Sequence, residues 1–313
     1  MGRKVRPAPS PRAPLANAVH RTPIPILDEI GRVFAVCVGR PNDAGWSNVS
    51  RDAAADIAAA RGACKFPSGC RKHRRGDFPA LAVGVSYGGG QKRPGNLVNS
   101  RANARVLRRL LRTRALRRIA GFASGAFAFW NPRLHAYYHD RLGRLFQHHP
   151  RLERNFENSV FACATVNFGP QTCCYPHTDA NNLPFGLCAV TALGDFNPEL
   201  GGHLVLWDLR MVIEFPPGST ILIPSATVRH SNTAIQRNET RYSFTQYAAG
   251  GLFRWVDHGF QTEKVYQSGW SAAAKKEEVE LGKRRWEEGN KLFSTLDELR
   301  SMDRSALPCD EVP

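Results

Sequence analysis

Pro176-His177-Thr178-Asp179 decides how this chain is read, together with two later pieces, Arg229-His230-Ser231-Asn232 and Arg241-Tyr242-Ser243. In a strand, residues i and i+2 point to the same side, so His177 and Asp179 can reach one metal ion from one strand. A third ligand has to come from a strand brought alongside. His230 qualifies, because it follows Ser219-Thr220-Ile221-Leu222-Ile223-Pro224, an apolar run that reads as a buried strand. Two imidazoles and one carboxylate are the ligand set of the facial triad, which holds a non-heme Fe(II) by one face and leaves the other positions open. Arg241 opens an alternating run to Tyr247 in which Arg241 and Ser243 share a side. A guanidinium pairs bidentately with a carboxylate, and the hydroxyl adds one hydrogen bond. A dicarboxylate such as 2-oxoglutarate needs that at its far end. Zinc also accepts His and carboxylate ligands; the Arg-x-Ser pair favours an organic acid beside the metal, for which a plain zinc hydrolase has no use.

Outward from this motif, residues 160–247 read as short strands separated by turns at Gly201-Gly202 and Pro216-Pro217-Gly218, the pattern of an all-β core. Further segments are Asn167-Phe168-Gly169-Pro170, Ala189-Val190-Thr191-Ala192-Leu193-Gly194, Gly201-Gly202-His203-Leu204, Phe215-Pro216-Pro217-Gly218, Ile223-Pro224-Ser225-Ala226 and Ser243-Phe244-Thr245-Gln246-Tyr247. Upstream lie Val85-Ser86-Tyr87-Gly88-Gly89-Gly90-Gln91 and Pro94-Gly95-Asn96. With the His-x-Asp motif, these make the chain resemble the fungal branch of the TET/JBP-like Fe(II)/2-oxoglutarate-dependent dioxygenases over roughly residues 30–265.

The resemblance implies an α+β fold with a double-stranded β-helix (jelly-roll) oxygenase core and supporting N-terminal helices. It implies a 2-oxoglutarate-dependent non-heme iron dioxygenase, with Fe(II) and 2-oxoglutarate as cofactors and ascorbate as reductant. Such an enzyme oxidises a modified base in nucleic acid, 5-methylcytosine or N6-methyladenine in DNA, a step in DNA demethylation. His177, Asp179 and His230 would hold the metal, and Arg241, Ser243 and Asn167 the co-substrate. No equally diagnostic motif marks the base.

With 313 residues, the chain is long enough for one large or two modest domains. No run approaches the ~18–20 apolar residues of a membrane span, and no apolar h-region marks a secretory signal. The eight cysteines contain no C-x-x-C pair and read as reduced thiols. Cys64, Cys70 and His73 could supply three zinc ligands, but their spacing is not that of a standard finger, and a basic loop containing two thiols is the alternative. Cys173-Cys174 reads as packing.

The net charge is +16, and all of the excess is N-terminal: residues 1–120 hold 24 Lys and Arg against 6 Asp and Glu, the remainder 19 against 21. Such a field attracts polyanions, which makes nucleic acid, double-stranded DNA in particular, the expected partner. A bilayer surface is the weaker alternative, because no bulky apolar anchor accompanies the charge. A nuclear location follows from charge and substrate, with the cytoplasm as the other choice; secretion is not expected.

Four regions are expected: a disordered, basic, Pro/Arg-rich arm over 1–25, a basic α/β part over 26–150, the β-helix core over 151–265 and a charged helical tail over 266–313. Within them, 33–38 reads as a strand, 47–60 as a helix capped by Ser47, 62–77 as a basic loop, and 78–87 as a strand leading to the glycine turn. Residues 97–119 read as one basic helix with a stripe of Val98, Ala102, Val106, Leu110, Leu111 and Ile119 toward the body. Residues 132–149 read as a second helix, with His135, His139, His148 and His149 at its surface. The tail, 271–300, could cap the core or mediate association.

Substrate contacts are expected from Tyr175, Asn181 and Asn182 beside the motif, where the alternative for the asparagines is turn chemistry. Gln91 on the glycine turn and Arg105, Arg109 and Arg112 on the basic helix are further contacts. Three functions fit: a nucleic-acid base dioxygenase, a dioxygenase acting on a protein side chain or small molecule, and a non-catalytic nucleic-acid-binding protein.

Overall fold

The computed structural model describes residues 15–16 and 22–302. Most of the expected arm, and Cys309, lie outside the described residues. The strands are β1 (Leu15–Ala16), β2 (Ile24–Leu27), β3 (Val33–Gly39), β4 (Ala80–Ser86), β5 (Gly95–Asn96), β6 (Cys163–Asn167), β7 (Cys188–Asp195), β8 (Leu204–Leu206), β9 (Met211–Ile213), β10 (Thr220–Ile223), β11 (His230–Asn232) and β12 (Thr240–Tyr247). The helices are α1 (Trp46–Ala63), α2 (Ser68–Arg71), α3 (Arg101–Leu111), α4 (Arg114–Trp130), α5 (Pro132–His148), α6 (Gly250–Asp257), α7 (Glu263–Tyr266), α8 (Ala272–Asn290) and α9 (Leu296–Ser301).

One sheet runs β2-β3-β10-β7-β12-β6-β4-β5 and the other β1-β9-β8-β11. From β6 onward the chain passes between them: β7 joins the large sheet, β8 and β9 the small one, β10 the large, β11 the small and β12 the large. This winding is the double-stranded β-helix, and the expected jelly-roll core is what forms. The N-terminal strands do not stand apart; β2 and β3 extend the large sheet at one edge, β4 and β5 at the other.

Strand alternation sorts the large sheet's side chains. Arg241, Ser243 and Thr245 stand opposite Gly194, Ala192 and Val190 of β7. Ser243 and Thr245 also stand opposite Asn167 and Thr165 of β6. These share the inner face. A side chain at Gly194 (φ +121°) would lie 2.2 Å from the Thr240 carbonyl oxygen, so the strand beside Arg241 accepts only glycine. The alternate residues Tyr242, Phe244, Val166 and Leu193 face outward and pack with Trp46, Ile57, Leu107, Leu116 and Ile119 of α1, α3 and α4. Between the sheets, Leu204, Leu206, Ile213, Phe215, Ile221 and Ile223 fill the apolar part of the interior.

Several local expectations are corrected. The basic helix is two helices, broken at Arg112–Thr113, where Thr113 is extended at φ −65° and ψ 145°. Leu107 and Leu116 lie about two and a half turns apart, so an unbroken helix would point them in opposite directions; the break lets both reach the sheet. The buried stripe is shifted as well. Val98 is 96% exposed, whereas Asn103, Leu107 and Leu110 are buried. Asn103 is tolerated inside because its amide bonds the backbone N–H and carbonyl of Lys65 at 2.9 and 2.7 Å. Gly45, not Ser47, caps α1, with Asp43 accepting from the Gly45 N–H at 2.7 Å. His135 packs edge-on against Phe127, and burial pushes its pKa down to about 4.

The end of the tail, after α8, caps the core, while α8 itself is largely exposed. Phe293 and Leu299 are buried, and Val33 donates to the Ser294 carbonyl at 2.8 Å. Asn131, fully buried, joins the two segments: its Nδ2 donates to Val33 O at 3.1 Å, and its Oδ1 accepts from Ser294 N–H at 3.0 Å. Asn131→Ala should destabilise the protein by about 2–4 kcal/mol, read as a lower urea midpoint at unchanged m-value.

Candidate metal centre and adjoining cavity

His177 and His230 are joined through their backbones: each N–H donates to the other's carbonyl, at 3.0 and 2.9 Å. The pairing sets the rings side by side, with centroids 4.4 Å apart. His177 Nδ1 lies 2.7 Å from Tyr175 O, and His230 Nδ1 lies 3.0 Å from Val228 O. A carbonyl only accepts, so each Nδ1 carries the proton and each Nε2 keeps a free lone pair. Those lone pairs converge on Asp179, whose Oδ1 is 3.7 Å from His177 Nε2 and whose Oδ2 is 3.9 Å from His230 Nε2. One donor atom from each residue falls within 4.8 Å of the others, so a single ion can touch all three.

The ligands reach this arrangement differently from the expected strand geometry. His177 sits in an isolated bridge and Asp179 in the turn after it. Asp179 is fixed by its own N–H, which donates to Ser225 O at 2.8 Å, and by Asn182 N–H, which donates to Asp179 O at 2.8 Å. Arg74 adds a hydrogen bond to Thr178 O at 2.9 Å and stands 3.7 Å from Asp179 Oδ1. Burial and the neighbouring His230 push the His177 pKa down to about 4.

Arg241 is 2% exposed. Its Nη1 donates to Thr172 O at 3.2 Å, its Nε has no partner, and no carboxylate among the described residues pairs with it. Burial lowers its pKa, opposed by the nearby Cys174 and Cys173. An uncompensated buried cation costs several kcal/mol, so this guanidinium fits an anion brought in from outside. Ser243 shares its face, and Asn167 Nδ2 donates to Ser243 Oγ at 2.7 Å.

A cavity of about 250 Å³ adjoins Asp179. Arg74 and Arg75 line it from the basic loop, Asn181 and Asn182 from the turn after the triad, and Thr165, Thr245 and Tyr247 from the inner face of the sheet. Asn182 Nδ2 donates to Ser225 Oγ at 3.0 Å, and Thr165 Oγ1 lies 3.1 Å from Tyr247 Oη. Other expected contacts fall elsewhere. Tyr175 is 41% exposed and donates to Asp77 Oδ2 at 3.0 Å. Gln91 is exposed on the glycine turn, and Arg105, Arg109 and Arg112 are exposed on the helix layer outside the sheet. Cys64, Cys70 and His73 do not form a metal-binding group: both thiols pack beside the apolar cluster of α1 and α3, and His73 Nε2 bonds Phe78 O at 3.1 Å.

Arg74, Arg75, Thr165, Thr245 and Tyr247 were not anticipated as site residues. Continuing the alternation of Arg241 and Ser243 by two further steps reaches Thr245 and Tyr247. Nothing local marks which residues of the basic loop reach the site.

No family model and no curated protein matches this chain. Solved structures are similar at low identity. NgTET1, in complex with 5mC DNA, superposes with a TM-score of 0.48 at 15% identity, over 77% of this chain and 81% of that one. An oxidoreductase of the 2OG-Fe(II) oxygenase family from Burkholderia pseudomallei gives 0.32 at 21% identity, over 62% and 76%. A prolyl-4-hydroxylase from Pseudomonas putida gives 0.32 at 15% identity, over 64% and 86%. These likenesses are distant, and the chemistry of the site rests on its own residues.

Two outcomes follow. One Fe(II) or Mn(II) should bind per chain in calorimetry, and His177→Ala should weaken binding by on the order of 100-fold. In the ion-free protein the folded His177 pKa lies near 4, below the ordinary 6.5. The unfolded chain therefore holds more protons in that window, and stability should fall as pH drops from 6.5 toward 4. Denaturation midpoints across this range should fall less steeply in the ion-free His177→Ala variant.

Proposed function

We propose that this protein is an Fe(II)- and 2-oxoglutarate-dependent dioxygenase that oxidises a modified base in nucleic acid, in the manner of the TET/JBP-like enzymes. The observation that carries the oxygenase reading is a buried Arg241 with no acid partner, in the same β-helix interior as the His177-Asp179-His230 set. His177, Asp179 and His230 would hold the ion. Arg241 would pair with the distal carboxylate of 2-oxoglutarate and Ser243 would add a hydrogen bond, its hydroxyl oriented by Asn167 Nδ2. When bound, Fe(II) and 2-oxoglutarate use O2 to place one oxygen atom on a substrate C–H carbon, with succinate and CO2 as co-products.

Three features support a base as substrate. The cavity, about 250 Å³, lies below the ~300–1,000 Å³ of sites for larger organic ligands and suits one heterocyclic ring. Asn181, Asn182, Thr165 and Thr245 offer it donors and acceptors for a base edge. The basic N-terminal part attracts a polyanion. A base inside a duplex cannot reach the triad, so it must flip out and be held by its edge. The leading substrates are 5-methylcytosine and N6-methyladenine in double-stranded DNA, which would place the protein in the nucleus. No helix among the described residues is long and apolar enough to cross a membrane.

Nucleoside mass spectrometry after incubation with methylated duplex DNA, Fe(II), 2-oxoglutarate and ascorbate tests this. Wild type should yield an oxidised base that is absent with Asp179→Ala. Arg241→Ala should raise the KM for 2-oxoglutarate at least ~10-fold, the weight of one charge-assisted pair. Succinate release on DNA with no altered base would contradict the nucleic-acid reading and favour a protein or small-molecule substrate. Neither product from the iron-loaded protein would contradict the enzyme reading.

A further inference from the structure

Residues 78–139 contain 11 Lys and Arg and not one Asp or Glu. The structure gathers most of that charge in one place. Arg101, Arg105, Arg108 and Arg112 recur at intervals of four, three and four residues, so they form a single row along α3. All four are exposed, as are Arg109 beside the row and Arg117 beyond the break. Arg118 pairs with Asp43. The row itself has no ion pair or side-chain hydrogen bond among the described residues.

Unpaired like charges on one helix repel, and the fold tolerates them because the opposite side of the two helices is firmly buried. Leu107, Leu110, Leu116 and Ile119 pack with Val166 and Phe244 on the outer face of the large sheet. Burial of that side also decides what the row can bind. Basic helices that lie on membranes present bulky apolar residues to the lipid. Here the apolar side is spent on the core, and between 101 and 118 the one exposed residue other than Arg is Ala102. The row advances in steps of about 4.5–6 Å, within reach of successive phosphates along a strand for long, forked side chains.

The row also has a fixed relation to the cavity. Leu97 lines the cavity, and Asn99 Nδ2 donates to Ala82 O of β4 at 2.9 Å. Helix α3 therefore starts at the cavity rim and carries its arginines across the far side of the sheet from the triad. We propose that this row is a second nucleic-acid site, which binds the phosphate backbone of a duplex without reading sequence and independently of the metal centre. It rests on charge and burial alone, and stands whether or not the bound base is oxidised.

The test uses a labelled unmodified duplex, chelator and the full chain, with affinity measured against salt. A site contacting about five phosphates gives a log–log slope of about −4 to −5. The variant R101A/R105A/R108A/R112A should lose about 3–4 of that slope and on the order of 100-fold in affinity. Its four-lysine counterpart should keep the slope. Hydrogen exchange on the wild-type protein is the second readout: the duplex should protect 101–117. Unchanged affinity and slope in the four-alanine variant would overturn the proposal, as would protection confined to the cavity rim. Tighter binding to phosphatidylserine vesicles than to the duplex would overturn the assignment of the partner.

Discussion

A slip of β12 by one residue would turn Arg241, Ser243 and Thr245 onto the helix layer and drive Tyr242 and Phe244 into the cavity. Its register against β6 and β7 is therefore the constraint on which the site depends. Two forces hold it. On the outer face, Tyr242 and Phe244 interlock with Leu193 and Val166 under α1, α3 and α4. On the inner face, β7 can lie against the backbone of Thr240 and Arg241 only because residue 194 is glycine. The basic helices thus have a structural task that is separate from their charge: they bury the side of the sheet that makes the other side polar.

The candidate metal ligands depend on a second constraint, the reciprocal backbone pair of His177 and His230. It couples the isolated bridge at His177 to the first residue of β11, so the two imidazoles cannot separate without opening the small sheet's edge. The carbonyls of Tyr175 and Val228 then fix both tautomers. Three donors arrive already oriented, and the cost of gathering them is met by folding, before any ion arrives.

The legible part of this chain was the part carried by short periods. Alternation put Arg241 and Ser243 together; the His-x-Asp spacing with a later His named three residues that do converge, though not from the strand expected for His177 and Asp179. Less legible were features that depend on tertiary fit. The break at Thr113 follows from the need to return Leu116 and Ile119 to the sheet, which a helical pattern read over the whole segment hides. Asn103 is buried by its match to the Lys65 backbone, which a hydrophobic stripe cannot reveal. Arg74 and Arg75 reach the cavity because their loop docks on the segment before His177, where Tyr175 N–H donates to Arg75 O at 2.7 Å. Nothing in the local sequence encodes that contact.

The proposed oxygenase requires one interior to hold both an ion and an organic dicarboxylate. Anaerobic absorption spectroscopy tests it most directly, because a 2-oxo acid chelated to Fe(II) gives a visible charge-transfer band that neither has alone. Wild type should give a band that grows with 2-oxoglutarate; Asp179→Ala should give none, and Arg241→Ala should require far more 2-oxoglutarate. Fe(II) bound at His177, Asp179 and His230 with no band at any concentration of 2-oxoglutarate would contradict that requirement.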